Sequence, residues 1–241
     1  SQQIEAAAKR AGRSAAAITL VAVTKTHPAQ TVIEAYQAGL RHFGENRTLE
    51  KEKVAEVSRW LATQPNAESP TWHFIGHLQS RQVGDVLDTY DLIHSVDSLK
   101  LAQRINRLAE RDQLPPVSVL LQCNVSGEEA KSGFDLNGWQ SHRPSLEEFL
   151  QAVDQIQALG KLTIKGLMTM APIVTDPEET RPTFSSLAAL QQALQHERPA
   201  ITWTHLSMGM TDDFEIAIEE GATMIRVGRA LFGDRRSLEK K

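Results

Sequence analysis

The sequence predicts an α/β chain folded as a single (β/α)₈ barrel over residues 1–241, and three observations predict it. Short β-branched, apolar runs alternate from end to end with longer segments of helical period, the pattern of repeated β/α units around a parallel sheet. Eight such runs can be counted, the number that closes this kind of barrel. A chain of 241 residues with 41% hydrophobic and 23% charged content can bury the core of one large domain.

Taken in order, the opening SQQIEAAAKRAG reads as an ordinary helix and lacks the apolar core and cleavage site of a secretory signal. Strands are expected at 18–24, 41–44, 72–76, 92–96, 117–125, 162–170, 201–207 and 222–228. Pro28 opens the helix after strand one, and Gly39 ends it. The turn-rich TQPNAESPT at 63–71 leads from a helix into strand three, which puts it at the stable end of the barrel. Behind Asp97, Leu101, Ile105 and Leu108 share one helical face. The segment 126–144 follows strand five without helical period, and a loop of that length at the active-site end is expected to be functional or mobile. Ser145 and Glu148 form a capping box for a helix that buries Phe149, Leu150, Val153, Ile156 and Leu159. Asp212 with Glu215 is expected to cap the last such helix, with Gly221 at its end.

Composition narrows the partners. Net charge is −4 with both signs interspersed, so no basic stripe follows a nucleic-acid backbone and no polybasic helix holds a membrane. No apolar run is long enough for a membrane span. Small molecules are the expected partners. The lone Cys123 cannot form an internal disulfide, which suits the reducing cytoplasm. No apolar helix face is left over, so a monomer is expected. A P-loop and a G-x-S-x-G elbow are both missing, and Cys123 has no cationic neighbour in sequence to activate it. His73 and His77 flank a strand end, where four-residue spacing does not converge their rings, so no metal is predicted.

Lys25 is the first candidate for chemistry. In VAVTK, Val21, Val23 and Lys25 share a face by the strand period of two, which extends an inward row to the barrel mouth. An ammonium held partly out of water there loses its preference for the charged form, leaving an amine able to attack an aldehyde. The competing reading is a lysine that ends a strand and reaches solvent. Next come HLSMGM at 205–210 and RVGRALFG at 226–233, because the loops after strands seven and eight of such barrels recurrently bind phosphate. Ser207 can offer a hydroxyl there, and Met208, Gly209, Gly228 and Arg229 can offer amides. Arg226 lies on the last strand and points the same way as Gly228; its plainer reading is an arginine paired with a carboxylate. Asn46, His77 and Asn124 sit at further strand ends, where each can line a ligand or simply cap a turn.

The motifs VAVTKTHP, HFGENR, WHFIGHLQ, HSVDS, NVSGEEAKSGF, GLMTM and HLSMGMTDDFEIAIEEGATMIRVGRALFG, in this order, span nearly the whole chain. Their combination resembles the bacterial YggS and human PROSC group, the pyridoxal phosphate homeostasis or binding proteins. The resemblance implies the barrel of alanine racemase's N-terminal domain, with pyridoxal 5′-phosphate held as a Schiff base on Lys25. It implies a phosphate cup including Ser207, Met208, Gly209 and Gly228, and Arg226 facing the pyridine nitrogen. An arginine there donates a hydrogen bond but does not protonate the ring, which stays a weak electron sink. Arg229 departs from the group, which usually has Thr or Ser at that position. The role implied is to hold this reactive cofactor and hand it to apo-enzymes, with influence on vitamin B6 and amino-acid pools.

A racemase of the same fold is the main alternative. It would need a second acid/base opposite the lysine, supplied in alanine racemases by a tyrosine on an added β-domain. Only Tyr36 and Tyr90 are present, both on or beside outer helical segments, and few residues follow the last strand. A carrier without turnover is therefore expected. A regulatory barrel that binds another phosphorylated ligand is the remaining alternative.

Overall fold

The computed structural model describes residues 2–128 and 131–233. Helix α1 (Gln2–Arg10) leads into β1 (Thr19–Val23), α2 (Ala29–Gln37), β2 (His42–Glu45), α3 (Lys51–Leu61) and β3 (Thr71–Phe74). There follow β4 (Leu92–Val96), α4 (Leu99–Arg111), β5 (Val117–Asn124), β6 (Phe134–Asp135), α5 (Arg143–Gln157) and β7 (Leu162–Met168). The chain continues through α6 (Arg181–Glu197), β8 (His205–Ser207), α7 (Phe214–Glu219), β9 (Met224–Val227) and α8 (Arg229–Phe232). The strands pair in the order β4-β3-β2-β1-β9-β8-β7-β5, and β4 also pairs with β5, which closes an eight-stranded ring. Every pairing is parallel, as βαβ crossovers require. The eight runs expected from sequence are these eight strands.

Alternation along the strands sorts the core into two regions. Ala22, Phe43, Phe74, Ile93, Leu121, Leu167 and Val227 face outward into one cluster with helix residues such as Val32, Ile105, Val153 and Leu187. Leu92, Leu120, Met168 and Met224 form a separate, smaller cluster, the plug inside the barrel. Val21 is as fully buried as these and belongs to neither cluster. β1, carrying the first residues of the sheet, pairs with β9, carrying the last.

Several local expectations are corrected. The capping box at Ser145 is displaced, because α5 begins at Arg143 with Pro144 in its first turn, and the Ser145 hydroxyl instead lies 2.8 Å from Nδ1 of His142. Asp213, not Asp212, precedes α7, and its carboxylate accepts from the amide of Met210 at 2.5 Å. The run 201–207 is strand only from His205, because Trp203 is buried in a turn whose carbonyl accepts from Gln191 at 2.8 Å. β6 was not expected at all; it lies alongside the end of β5 within the long loop. Gly39 and Gly221 end their helices at φ +99 and +104, a conformation only glycine enters freely.

Candidate functional site

The turn after β1 carries Lys25, half-buried, and a knot of charges on the outside of the sheet fixes that turn. Lys53 of α3 is the centre of the knot. Its Nζ donates to the carbonyls of Thr24 at 2.8 Å and His27 at 3.1 Å, and it pairs with Glu45 at 2.7 Å and Glu50 at 3.0 Å. Glu50 also accepts from the amide of Thr26, whose φ of +67 marks the tightest point of the turn. Glu45 is fully buried and accepts from the Thr24 hydroxyl at 2.5 Å. Burial raises the Glu45 pKa, against the opposing pull of Lys53. Sequence reasoning missed Lys53; the FGEN-to-lysine spacing alone does not reveal that a helix residue reaches back over two strands.

Register joins most of the candidate residues. Val23 aligns with Gly44, so Lys25 and Asn46 follow two residues further on adjoining strands. Val21 aligns with Arg226, and a Cβ on Gly228 would lie 3.4 Å from that of Val23. The amide of Arg226 donates to the carbonyl of Gly209 at 2.9 Å. Lys25, Asn46, Gly228, Arg226 and Gly209 thus occupy one arc at the carboxyl ends of β2, β1, β9 and β8, with Ser207 buried below it. Gly209 needs its missing side chain, since φ is +92 and a Cβ would meet that of Ala217 at 2.5 Å.

Other candidates are placed differently. The Met208 amide donates to Met224, so it belongs to the strand ladder and is not available to a phosphate. The Ser207 hydroxyl is fully buried and committed to Arg226 and His94, beneath the mouth rather than in it. Arg229 turns its side chain outward to pair with Asp212, leaving only its backbone beside the glycine turn. His77 is 55% exposed and lies 3.3 Å from Ser132 and 3.4 Å from Asp97, on the rim beyond the arc. Asn124 takes the capping role, donating to the carbonyl of Glu128 and accepting from Ser126.

Of the 126–144 segment, residues 129 and 130 lie outside the described residues. Its described part crosses toward the opposite rim, where Lys131 donates to the carbonyl of Met170 at 3.1 Å, while Gln122 donates to that of Ser132. Gly133, at φ +135, sits so close to β5 that a Cβ would come within 2.8 Å of the Asn124 nitrogen.

Arg226 meets no carboxylate in an ion pair among the described residues, against the paired-arginine reading. It is 5% exposed and donates from Nη1 to Ser207 Oγ at 2.6 Å and from Nη2 to the Thr169 carbonyl at 2.9 Å. Burial lowers its pKa to about 10, with Asp213 opposing. Below it lies a row of three histidines that sequence reasoning considered only as metal ligands or strand ends. Nδ1 of His94 is 2.8 Å from Ser207, its Nε2 is 2.9 Å from Nδ1 of His73, and Nε2 of His73 is 3.0 Å from Nδ1 of His42. Burial holds His73 down to about 3, and His94 well below the ordinary histidine range. The legible signal was one histidine on each of three successive strands, at inward positions by the period of two.

The family model for the alanine racemase N-terminal domain matches residues 1–236. The chain is 38% identical over 233 residues to the pyridoxal phosphate homeostasis protein of Vibrio cholerae, covering 97% of this chain and 92% of that one. It is 39% identical over 235 residues to the Escherichia coli K12 protein of the same name, covering 97% and 92%. This chain belongs to the pyridoxal phosphate homeostasis family. Among solved structures, PipY of Synechococcus elongatus with pyridoxal phosphate bound is 36% identical with a TM-score of 0.74, covering 96% of this chain and 100% of that one. Alanine racemase of Clostridium difficile shares the fold at 16% identity and a TM-score of 0.68, with 98% of this chain matching 60% of that enzyme.

Proposed function

We propose that this chain holds pyridoxal 5′-phosphate as a Schiff base on Lys25 and passes it to apo-enzymes, acting as a carrier without turnover. The observation that carries the reading is the arc itself: an amine-bearing strand end flanked by glycine turns on one side and Asn46 on the other. The fit of the residues to the cofactor is supported by Asn46, whose Oδ1 is buried with no hydrogen-bond partner among the described residues. A buried acceptor left in that condition costs about 1–3 kcal/mol and is the mark of a position that expects a donor.

When bound, the cofactor supplies an aldehyde that condenses with an amine and a ring that can delocalise electrons. Lys25 supplies the amine, and the turn tied by Lys53 and Glu50 limits where that amine reaches. Gly209 and Gly228 let backbone approach a phosphate ester closely, with the Arg229 amide beside them. Arg226 spends one N–H on Ser207 and one on Thr169, and the remaining donors of the guanidinium serve the ring nitrogen. Holding that nitrogen by donation keeps it from acquiring a proton. Neither tyrosine offers the opposing acid of a racemase: the Tyr36 hydroxyl donates to the Glu68 carbonyl, and Tyr90 is buried against Phe74.

Protein incubated with pyridoxal phosphate and desalted is expected to be yellow. Borohydride is expected to fix one cofactor-sized mass on the peptide containing Lys25, and Lys25→Ala is expected to lose both. No uptake, or a label on another lysine, overturns the proposal. Incubation of the loaded protein with amino acids in deuterium oxide is expected to give no α-proton exchange beyond that of free cofactor. Rapid wash-in of deuterium would instead establish the racemase reading.

A further inference from the structure

His42 is the first residue of β2 and Ser207 the last of β8, so the row His42, His73, His94, Ser207, Arg226 climbs the depth of the barrel interior. Every link is within hydrogen-bond distance, and its direction follows from donor and acceptor inventories. A guanidinium only donates, so Ser207 accepts from Arg226. The Ser207 hydroxyl hydrogen, fully buried, then has Nδ1 of His94 as its acceptor. His94 must carry its proton on Nε2 and donate to Nδ1 of His73, and His73 in turn donates from Nε2 to Nδ1 of His42. All three rings therefore adopt the same tautomer and point the same way.

That alignment has an electrostatic consequence. The unprotonated nitrogen is the negative end of a neutral imidazole, and each of the three turns that end toward Arg226. Aligned dipoles in a low-dielectric interior act on a charge at their end as the aligned peptides of a helix do. They stabilise a buried cation that has no contacting carboxylate among the described residues.

We propose that His42, His73 and His94 are positioning residues for Arg226, a one-directional row of neutral imidazoles that orients its guanidinium through Ser207 and keeps it cationic. The inference rests on the cofactor reading for its consequence, since Arg226 is the residue assigned to the ring nitrogen. It assigns to the barrel interior the task of holding the bound ring in its weakly reactive form. The other titratable groups facing the row are His205, which feels both Lys165 and His42 at the base, and Asp213 near Arg226. Protonating any ring of the row would place a second cation on the path to Arg226 and break one link.

Nitrogen-15 NMR of histidine-labelled apoprotein tests the row without any cofactor. His73 and His94 are expected to show the neutral Nε2–H pattern from pH 6 to 8. The Nδ1–H tautomer, or an imidazolium, at either position overturns the proposal. In the pyridoxal phosphate adduct, His94→Leu is expected to shift the absorbance maximum and to move the pH midpoint of the chromophore by about one unit, a tenfold change in proton affinity. His94→Gln, whose amide can accept from Ser207 and donate to His73, is expected to restore both. A His94→Leu adduct with an unaltered spectrum and midpoint overturns the coupling to Arg226, and the wild-type tautomers decide the row if that variant does not fold. A colourless wild type would sink the Lys25 reading alone, because the tautomers are read on apoprotein.

Discussion

Lys53→Met is expected to destabilise the protein by about 3–5 kcal/mol, the cost of breaking a buried ion pair by removing one partner. The substitution leaves Glu45 fully buried opposite a thioether, and its Oε2 already has no hydrogen-bond partner among the described residues. It also strips a donor from the carbonyls of Thr24 and His27, on either side of Lys25. Urea unfolding of the variant, compared at constant m-value, measures the loss. The double variant Lys53→Met with Glu45→Leu is expected to recover much of it, since apolar residues of similar volume replace a buried pair at little cost. A loss below about 1 kcal/mol, the range of exposed pairs, would show that water reaches the knot.

Acid is expected to unfold the protein before its carboxylates titrate. His73 and His94 are buried and neutral, with folded pKa values far below the 6.5 of an unfolded histidine. Between those values the unfolded chain binds more protons than the folded one, so stability falls as pH falls. Each histidine contributes about 1.4 kcal/mol per pH unit once pH is below 6.5. A decline approaching twice that slope between pH 6 and 5 is expected in urea midpoints. Glu45 and Asp213 act oppositely at lower pH, because burial raises their folded pKa values and their folded forms hold protons more tightly. A flat profile from pH 7 to 5 would show that the two rings take up protons in the folded protein as they do in the unfolded chain.

The barrel was legible because its signals are local: eight apolar runs and glycines at Gly39 and Gly221. Lys25, Gly209, Gly228 and Arg226 were legible as strand-end residues of unusual type, and the resemblance to a known family supplied the role proposed for them. What stayed hidden depends on tilt and register. His42, His73 and His94 are offset along their strands, and only the shear of a closed sheet brings a residue low on β2 into line with one high on β4. Lys53 is hidden for a related reason, since a lysine among other helix lysines gives no sign of facing inward. Met208 and His77 were named from motifs whose neighbours matter more than they do, the one by a ladder hydrogen bond and the other by its place on the rim.

The pairing of β1 with β9 has a consequence for synthesis. Lys25 leaves the ribosome long before Arg226, and β1 cannot pair with β9 until all the strands between them have emerged. A nascent chain therefore carries Lys25 long before it has the strands that flank that residue in the folded barrel. Contacts so distant in sequence make ring closure a late, slow event in folding. The closed ring arrives all at once, with the final turn of the sheet.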